Sequence, residues 1–394
     1  MSPHARRLMA ALGGLAAAGA LVVPTSQGIA HATVTSYGSI PESVLSGKMA
    51  ATASAAEKVE EYWKPDRLKR ADDSTPRTAD PKVSSPSSPS SASAGEAAAK
   101  AMSGLPTIAS NAGPARVGGS SGTTRTLPWT VPPAAPAKSG LTSVRPATVG
   151  KVYFRSGGKD YWCSASAVRA KNRSLVATAA HCAFDLRTNE PMENWIFVPA
   201  YRQGAQEAGI YVGHTVALDM RYSQGDYDYD YAFVTVHRGF TWQQTKDTKG
   251  QPAFRRVDKG LLQDNVGGQG ITTSRPVAVN ATAFGYPGGP QPDGSKPYNG
   301  HTLKTCSGLT SAVKSPTYQL EHGIAIKDCD FTAGASGGPW LASYSATKGT
   351  GLLVGINSLS WNRKVDGKND HISSSYFGPH VRVVYGYASS LKAG

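Results

Sequence analysis

Ser336 stands in the run Gly334-Ala335-Ser336-Gly337-Gly338-Pro339, and far upstream His181 closes the small-residue run Thr178-Ala179-Ala180-His181-Cys182. A serine hydroxyl is a poor nucleophile at neutral pH, so a base within hydrogen-bond reach has to take its proton. The glycines let the backbone turn sharply and bring bare N–H groups close to a substrate carbonyl, where negative charge gathers during acyl transfer. A carboxylate able to orient the histidine heads the apolar run Asp230-Tyr231-Ala232-Phe233-Val234. A serine in a glycine-rich segment is by itself usually just a turn. Three such pieces, in the order His, Asp, Ser, point to acyl transfer. His214, His237, His301, His322, His371 and His380 lack a comparable frame and read as surface or packing residues.

These groups must be positioned by a β-rich region. From about Lys151, short runs of β-branched and aromatic residues alternate with Gly, Pro, Asn and Asp: Val152–Phe154, Ser164–Arg169, Leu175–Thr178, Trp195–Val198 and Tyr231–Val236. The second half repeats the style in Val277–Phe284, Tyr318–Ile326, Leu352–Ile356 and His371–Tyr376, and Val381–Leu391 reads as a short helix packing back on the domain. Periodicity of this kind suits a pair of antiparallel barrels and a β-sandwich equally.

The blocks TAAHC, DYAFV and GASGGPW resemble the three catalytic blocks of the chymotrypsin-like (trypsin-fold) serine proteases. Asn194–Tyr201, Phe284–Pro287 and Gly300–Cys306 resemble the secreted bacterial, V8-like branch, and the similarity spans about residues 145–394. The resemblance implies an all-β fold of two packed six-stranded antiparallel β-barrels, with His181 and Asp230 from the first and Ser336 from the second. It implies Ser336 as nucleophile, His181 as general base and then acid, and Asp230 holding the histidine in the right tautomer. The backbone N–H groups of Gly334 and Ser336 would form the oxyanion hole. Asp228, in the acidic run Asp226–Asp230, is the rival carboxylate, because on an extended chain it points to the same face as Asp230. Ala335 precedes the nucleophile where animal trypsin-like zymogens carry Asp, so a new N-terminal amine cannot order the oxyanion hole through that pair.

For substrate binding, Asp330 matches the position of the acidic residue at the base of trypsin's specificity pocket, where a buried carboxylate favours Arg or Lys. Gly355–Ser360 resembles the strand that pairs with substrate backbone, which makes Asn357, Ser358 and Ser360 candidate substrate contacts. Asn357 stands where glutamate-specific relatives carry His, which argues against that specificity. The expected activity is hydrolysis of polypeptides by a cofactor-free, monomeric serine endopeptidase of basic or broad preference at the residue before the cut bond. A catalytically silent homologue acting as an extracellular binding protein is the alternative.

The remaining sequence sets the surroundings. Arg6-Arg7, the apolar stretch Leu8–Val23 and Ala30-His31-Ala32 read as an export signal over 1–32, which implies secretion rather than stable membrane insertion. Residues 33–140 are rich in Pro, Ser and Ala and are expected to form a largely disordered leader, followed by a protease domain over 141–394. Inside that leader, Ala50–Arg70 has helical composition and the aromatic pair Tyr62-Trp63, with Pro65 as a breaker; it reads either as a propeptide element docking on the protease domain or as a spacer. Four cysteines allow three connectivities, and the local bridges Cys163–Cys182 and Cys306–Cys329 are expected; without C-x-x-C spacing, no metal site is expected. The net charge of +14 is scattered through loops, with no basic block of nucleic-acid type.

Overall fold

The computed structural model describes residues 39–73, 76–79, 127–137 and 146–394. The expected export signal and most of the low-complexity leader lie outside the described residues. Upstream of the expected protease domain come β1 (Val44–Lys48), α1 (Ala53–Tyr62), α2 (Pro65–Asp72) and β2 (Trp129–Val131). The first half continues with β3 (Val149–Ser156), β4 (Lys159–Val168), β5 (Leu175–Thr178), a small hairpin of β6 (Phe184–Asp185) and β7 (Glu190–Pro191), β8 (Glu193–Pro199), β9 (Tyr211–Asp219) and β10 (Ala232–Val236). A hairpin, β11 (Gly239–Lys246) with β12 (Pro252–Gly260), and the short helix α3 (Leu262–Val266) lead to the second half. There follow β13 (Gly270–Thr273), β14 (Asn280–Gly285), β15 (Lys304–Leu309), β16 (Ser311–Ser315) and β17 (Leu320–Lys327). The chain ends in β18 (Pro339–Ser345), β19 (Thr350–Ile356), β20 (Leu359–Trp361), β21 (His371–Ser375) and α4 (Pro379–Ser390).

The fold is mostly β, as the strand pattern required. In the first half, β9-β10-β5-β4-β3-β8 are hydrogen-bonded in that order and β8 returns to β9, which closes a six-stranded antiparallel barrel. Closure removes the free edges that a flat sheet of these apolar strands would expose. The second half departs from a single closed ring. Its strands form a six-stranded sheet, β15-β14-β18-β19-β13-β2, and a four-stranded one, β16-β17-β21-β20. In the larger sheet β13 pairs with β19 in parallel, and β2 takes the other side of β13.

The leader is built into the first half. β1 pairs antiparallel with β9 from Val44↔Asp219 to Lys48↔Thr215, adding a seventh strand to the barrel sheet. Thr52 caps α1 by accepting the Ala55 N–H at 3.1 Å, and Pro65, whose missing N–H costs nothing in a first turn, opens α2. Trp63 between the helices is fully buried, and Val59, Leu68 and Ala71 join the same core as the barrel strands. Among the described residues, no helix is long and apolar enough to cross a membrane.

Candidate active site

β5 is an entirely buried run, and at its end the chain tightens into a single 3₁₀ turn, Ala180–Cys182, that carries His181. Cys182 in that turn is bonded to Cys163 on β4, with Cα atoms 6.2 Å apart, which pins the turn to the neighbouring strand. β10 pairs with β5 so that Ala232 lies opposite Thr178, and this register brings Asp230 to the same end of the barrel as His181. One oxygen of Asp230 accepts the backbone N–H of His181 at 3.0 Å, and the other lies 2.8 Å from its Nδ1. The Ser358 hydroxyl donates to that second oxygen at 2.5 Å. Burial alone pushes the Asp230 carboxyl up, but the adjoining imidazole and the three hydrogen bonds outweigh it, and the net direction is down. With Nδ1–H given to the carboxylate, Nε2 is left as the basic nitrogen. It is buried and has no hydrogen-bond partner, and no hydrogen bond joins it to Ser336 in this form.

Asp228 is held elsewhere. A 3₁₀ turn over Tyr227–Tyr229 breaks the extended geometry, and the Asp228 carboxylate faces the second half instead. There it accepts the backbone N–H groups of Glu321 and His322, at 2.9 and 2.7 Å, and lies 2.8 Å from His322 Nδ1.

Ser336 sits in the tight turn before β18, between two left-handed glycines, Gly334 (φ 95°) and Gly337 (φ 83°). Gly337 also has no room for a side chain: a Cβ would stand 2.2 Å from both the Ser164 carbonyl oxygen and Thr178 Oγ1. That close approach seats the turn on β4 and on the end of β5, and the Ser336 carbonyl accepts the Ser164 N–H at 2.7 Å. The two peptides whose N–H groups belong to Gly334 and Ser336 are fixed through their carbonyls. Ala333 C=O accepts from the N–H groups of Gly288 and Gly289, at 2.9 and 3.0 Å. Ala335 C=O accepts from the Asn357 amide at 2.9 Å and from the Gly338 N–H at 3.1 Å. Between them, Gly334 C=O accepts from the Ser164 hydroxyl at 2.8 Å.

The other candidates fall in different places. Asn357 is buried with its side chain fully engaged: it donates to Phe284 C=O (2.8 Å) and Ala335 C=O and accepts from Trp340 Nε1 (2.6 Å). It therefore braces the Ser336 turn from behind. Ser358 reaches Asp230, and Ser360 is exposed on β20. Asp330 is exposed, not buried, and its carboxylate accepts from the Tyr298 hydroxyl at 2.5 Å. Cys306 and Cys329 form the second disulfide, as expected. Cys163, His181 and Cys182 lie within metal-ligand reach of one another, but both sulfurs are spent in a disulfide. Sequence reading missed Ser164, which braces Gly334, and the bracing by Asn357; both contacts join residues well apart in the chain.

No family model and no curated protein matches the chain. Among solved structures it is similar to the thermostable serine protease AL20 from an extremophilic microorganism, at 26% identity and a TM-score of 0.51; the match covers 64% of this chain and 100% of the other. It is also similar to the protease Anisep from Arthrobacter nicotinovorans, at 27% identity and a TM-score of 0.50, over 63% of this chain and 98% of Anisep.

Proposed function

Starting from a chain whose solved neighbours are bacterial serine proteases of the chymotrypsin-like fold, we propose that it is a secreted serine endopeptidase acting through His181, Asp230 and Ser336. One observation carries this reading: a buried carboxylate takes both N–H groups of His181 and leaves Nε2 as a free base just past the end of β5, the strand end on which the Ser336 turn is seated. In acylation, Ser336 Oγ attacks the peptide carbonyl carbon while its proton passes to His181 Nε2. The carbonyl oxygen becomes an oxyanion received by the N–H groups of Gly334 and Ser336. Collapse of the tetrahedral intermediate breaks the C–N bond, and His181 returns the proton to the leaving amine. Water, activated by the same nitrogen, then hydrolyses the acyl-enzyme and frees Ser336.

A broad preference at the residue before the cut bond fits the site better than a strictly basic one. The Asp330 carboxylate is exposed and already shared with Tyr298, so its charge is screened by solvent. The polar atoms of Asn357 are consumed by internal bonds and offer nothing to a substrate side chain.

Hydrolysis of a small activated ester tests the reading. The intact chain should turn the ester over, and Ser336→Ala and His181→Ala should each reduce the rate by about 10³ or more. An ester rate that survives Ser336→Ala would refute the assignment.

A further inference from the structure

Beyond the strap formed by β1, α1 and α2, the described segment Pro76–Ala79 begins against the turn that carries Ser336. Pro76 is buried against Gly334, close enough that a Cβ on that glycine would meet Pro76 Cβ at 3.1 Å. The next residue donates its backbone N–H to the Trp162 carbonyl at 3.1 Å, a β-like bond to the residue before Cys163. Arg77 is only 9% exposed, its guanidinium lies 5.5 Å from the centre of the Tyr161 ring, and its Nε is buried without a hydrogen-bond partner.

The side of the cleft follows from the chemistry. A released amine must stay within reach of His181 to be protonated, so the chain beyond a cut bond has to pass the wall formed by Trp162 and the Cys163–Cys182 bridge. Pro76 and Arg77 lie against that wall and against one of the two oxyanion-hole residues. We propose that the leaving-group side of the cleft is a binding site for an extended segment carrying a guanidinium, and that Pro76–Arg77 of this chain fills it, so that the intact chain inhibits itself. The inference rests on the protease reading of the same cleft.

The strap explains why so short a plug suffices. α2 ends on Asp72, whose carboxylate accepts from Lys151 Nζ at 2.8 Å, and that ammonium lies 4.2 Å from the centre of the Trp162 ring. Pro76 is therefore released from a fixed anchor beside its own binding site, and its local concentration is that of a short tether. Cutting or displacing the segment that follows Asp73 would open the cleft while the strap stays in the barrel sheet.

The test compares two substrates on the purified full-length chain: a small activated ester whose leaving group needs no room beyond the cut bond, and a peptide extending four residues past it. The intact chain should hydrolyse the ester but act poorly on the peptide. Arg77→Asp and Arg77→Ala should raise the peptide-to-ester ratio by about tenfold or more, the scale of a lost buried anchor, with the ester rate and melting temperature little changed. A synthetic Pro-Arg-Thr-Ala peptide should suppress peptide hydrolysis by the Arg77→Asp variant, and Pro-Asp-Thr-Ala should not. A ratio unmoved by either substitution, in variants that melt like the parent, overturns the plug. Loss of ester hydrolysis in every form would instead overturn the protease reading on which it stands.

Discussion

Asp72, the last residue of α2, passes its carboxylate into the barrel, where Lys151 Nζ donates to it at 2.8 Å and the Tyr153 and Tyr201 hydroxyls donate as well. Lys151 is wholly buried, ringed by Tyr153, Trp162 and Tyr201, and Asp72 is its one ion-pair partner among the described residues. A residue upstream of the barrel strands thus neutralises a charge that their core could not otherwise hold.

Replacing Asp72 by Ala should therefore destabilise the whole chain, by about 3–5 kcal/mol, because it strands an ammonium group in an aromatic cage. Chemical denaturation measures the loss. Lys151→Met with Asp72→Leu should recover most of it, since a matched apolar pair leaves no buried charge behind.

The same lysine gives a pH dependence. Burial lowers its pKa from 10.5 to about 8, against the opposing pull of Asp72 and Asp73; Tyr153, Tyr201 and His301 complete the groups around this cluster. Between about pH 8 and 10 the unfolded chain holds the lysine proton and the folded chain does not, so stability should rise with pH across that window. Above it the trend reverses, because the buried Tyr153 and Tyr201 hydroxyls have raised pKa values and ionise more readily when unfolded. Urea midpoints from pH 7 to 10 should show the rise in the parent chain and lose it in Lys151→Met.

Much of this arrangement was legible in the sequence, and the exceptions share a cause. The apolar run Leu175–Thr178 is a strand with those very bounds, and α4 covers Pro379–Ser390 where Val381–Leu391 was read as a helix. The pairing of His181 with Asp230 was legible because each sits in a block of distinctive neighbours. Ala50–Arg70 was legible as helical, but its anchor Asp72 pairs across 79 residues with a lysine on β3, and nothing local to either marks the pair. The strand Val44–Lys48 is short and half-exposed, so its edge on β9 left no periodic signature. Asn357 was read as facing substrate because Gly355–Ser360 resembles a substrate-pairing strand, and the resemblance of a segment does not give the hydrogen-bond partners of one side chain.

Asn357 makes a separate prediction. Asn357→Leu leaves Ala335 C=O, Phe284 C=O and Trp340 Nε1 each short of a partner and loosens the peptide that carries the Ser336 N–H. Ester kcat should fall by about 10- to 100-fold with KM nearly unchanged, because an oxyanion donor acts mainly on the transition state. An increase in KM alone would assign Asn357 to substrate contact instead.

Ser358 tunes the carboxylate. Asp230 is held below its ordinary pKa, so the intact chain should show no carboxylate limb in its pH–rate profile above about pH 4. Ser358→Ala removes a donor to the charged form and should shift the Asp230 carboxyl upward, as read by its own titration in an NMR experiment. A carboxyl titration that does not move would show that the serine contributes nothing to Asp230.

The most direct measurement is labelling of the purified chain with a small fluorophosphonate, with mass mapping of the adduct, beside Ser336→Ala and Asp230→Asn. The account predicts a single adduct on Ser336, none in Ser336→Ala, and labelling slowed by about 10³ or more in Asp230→Asn, where the histidine loses its orienting carboxylate. Labelling at another residue, or an unchanged rate in Asp230→Asn, would contradict it.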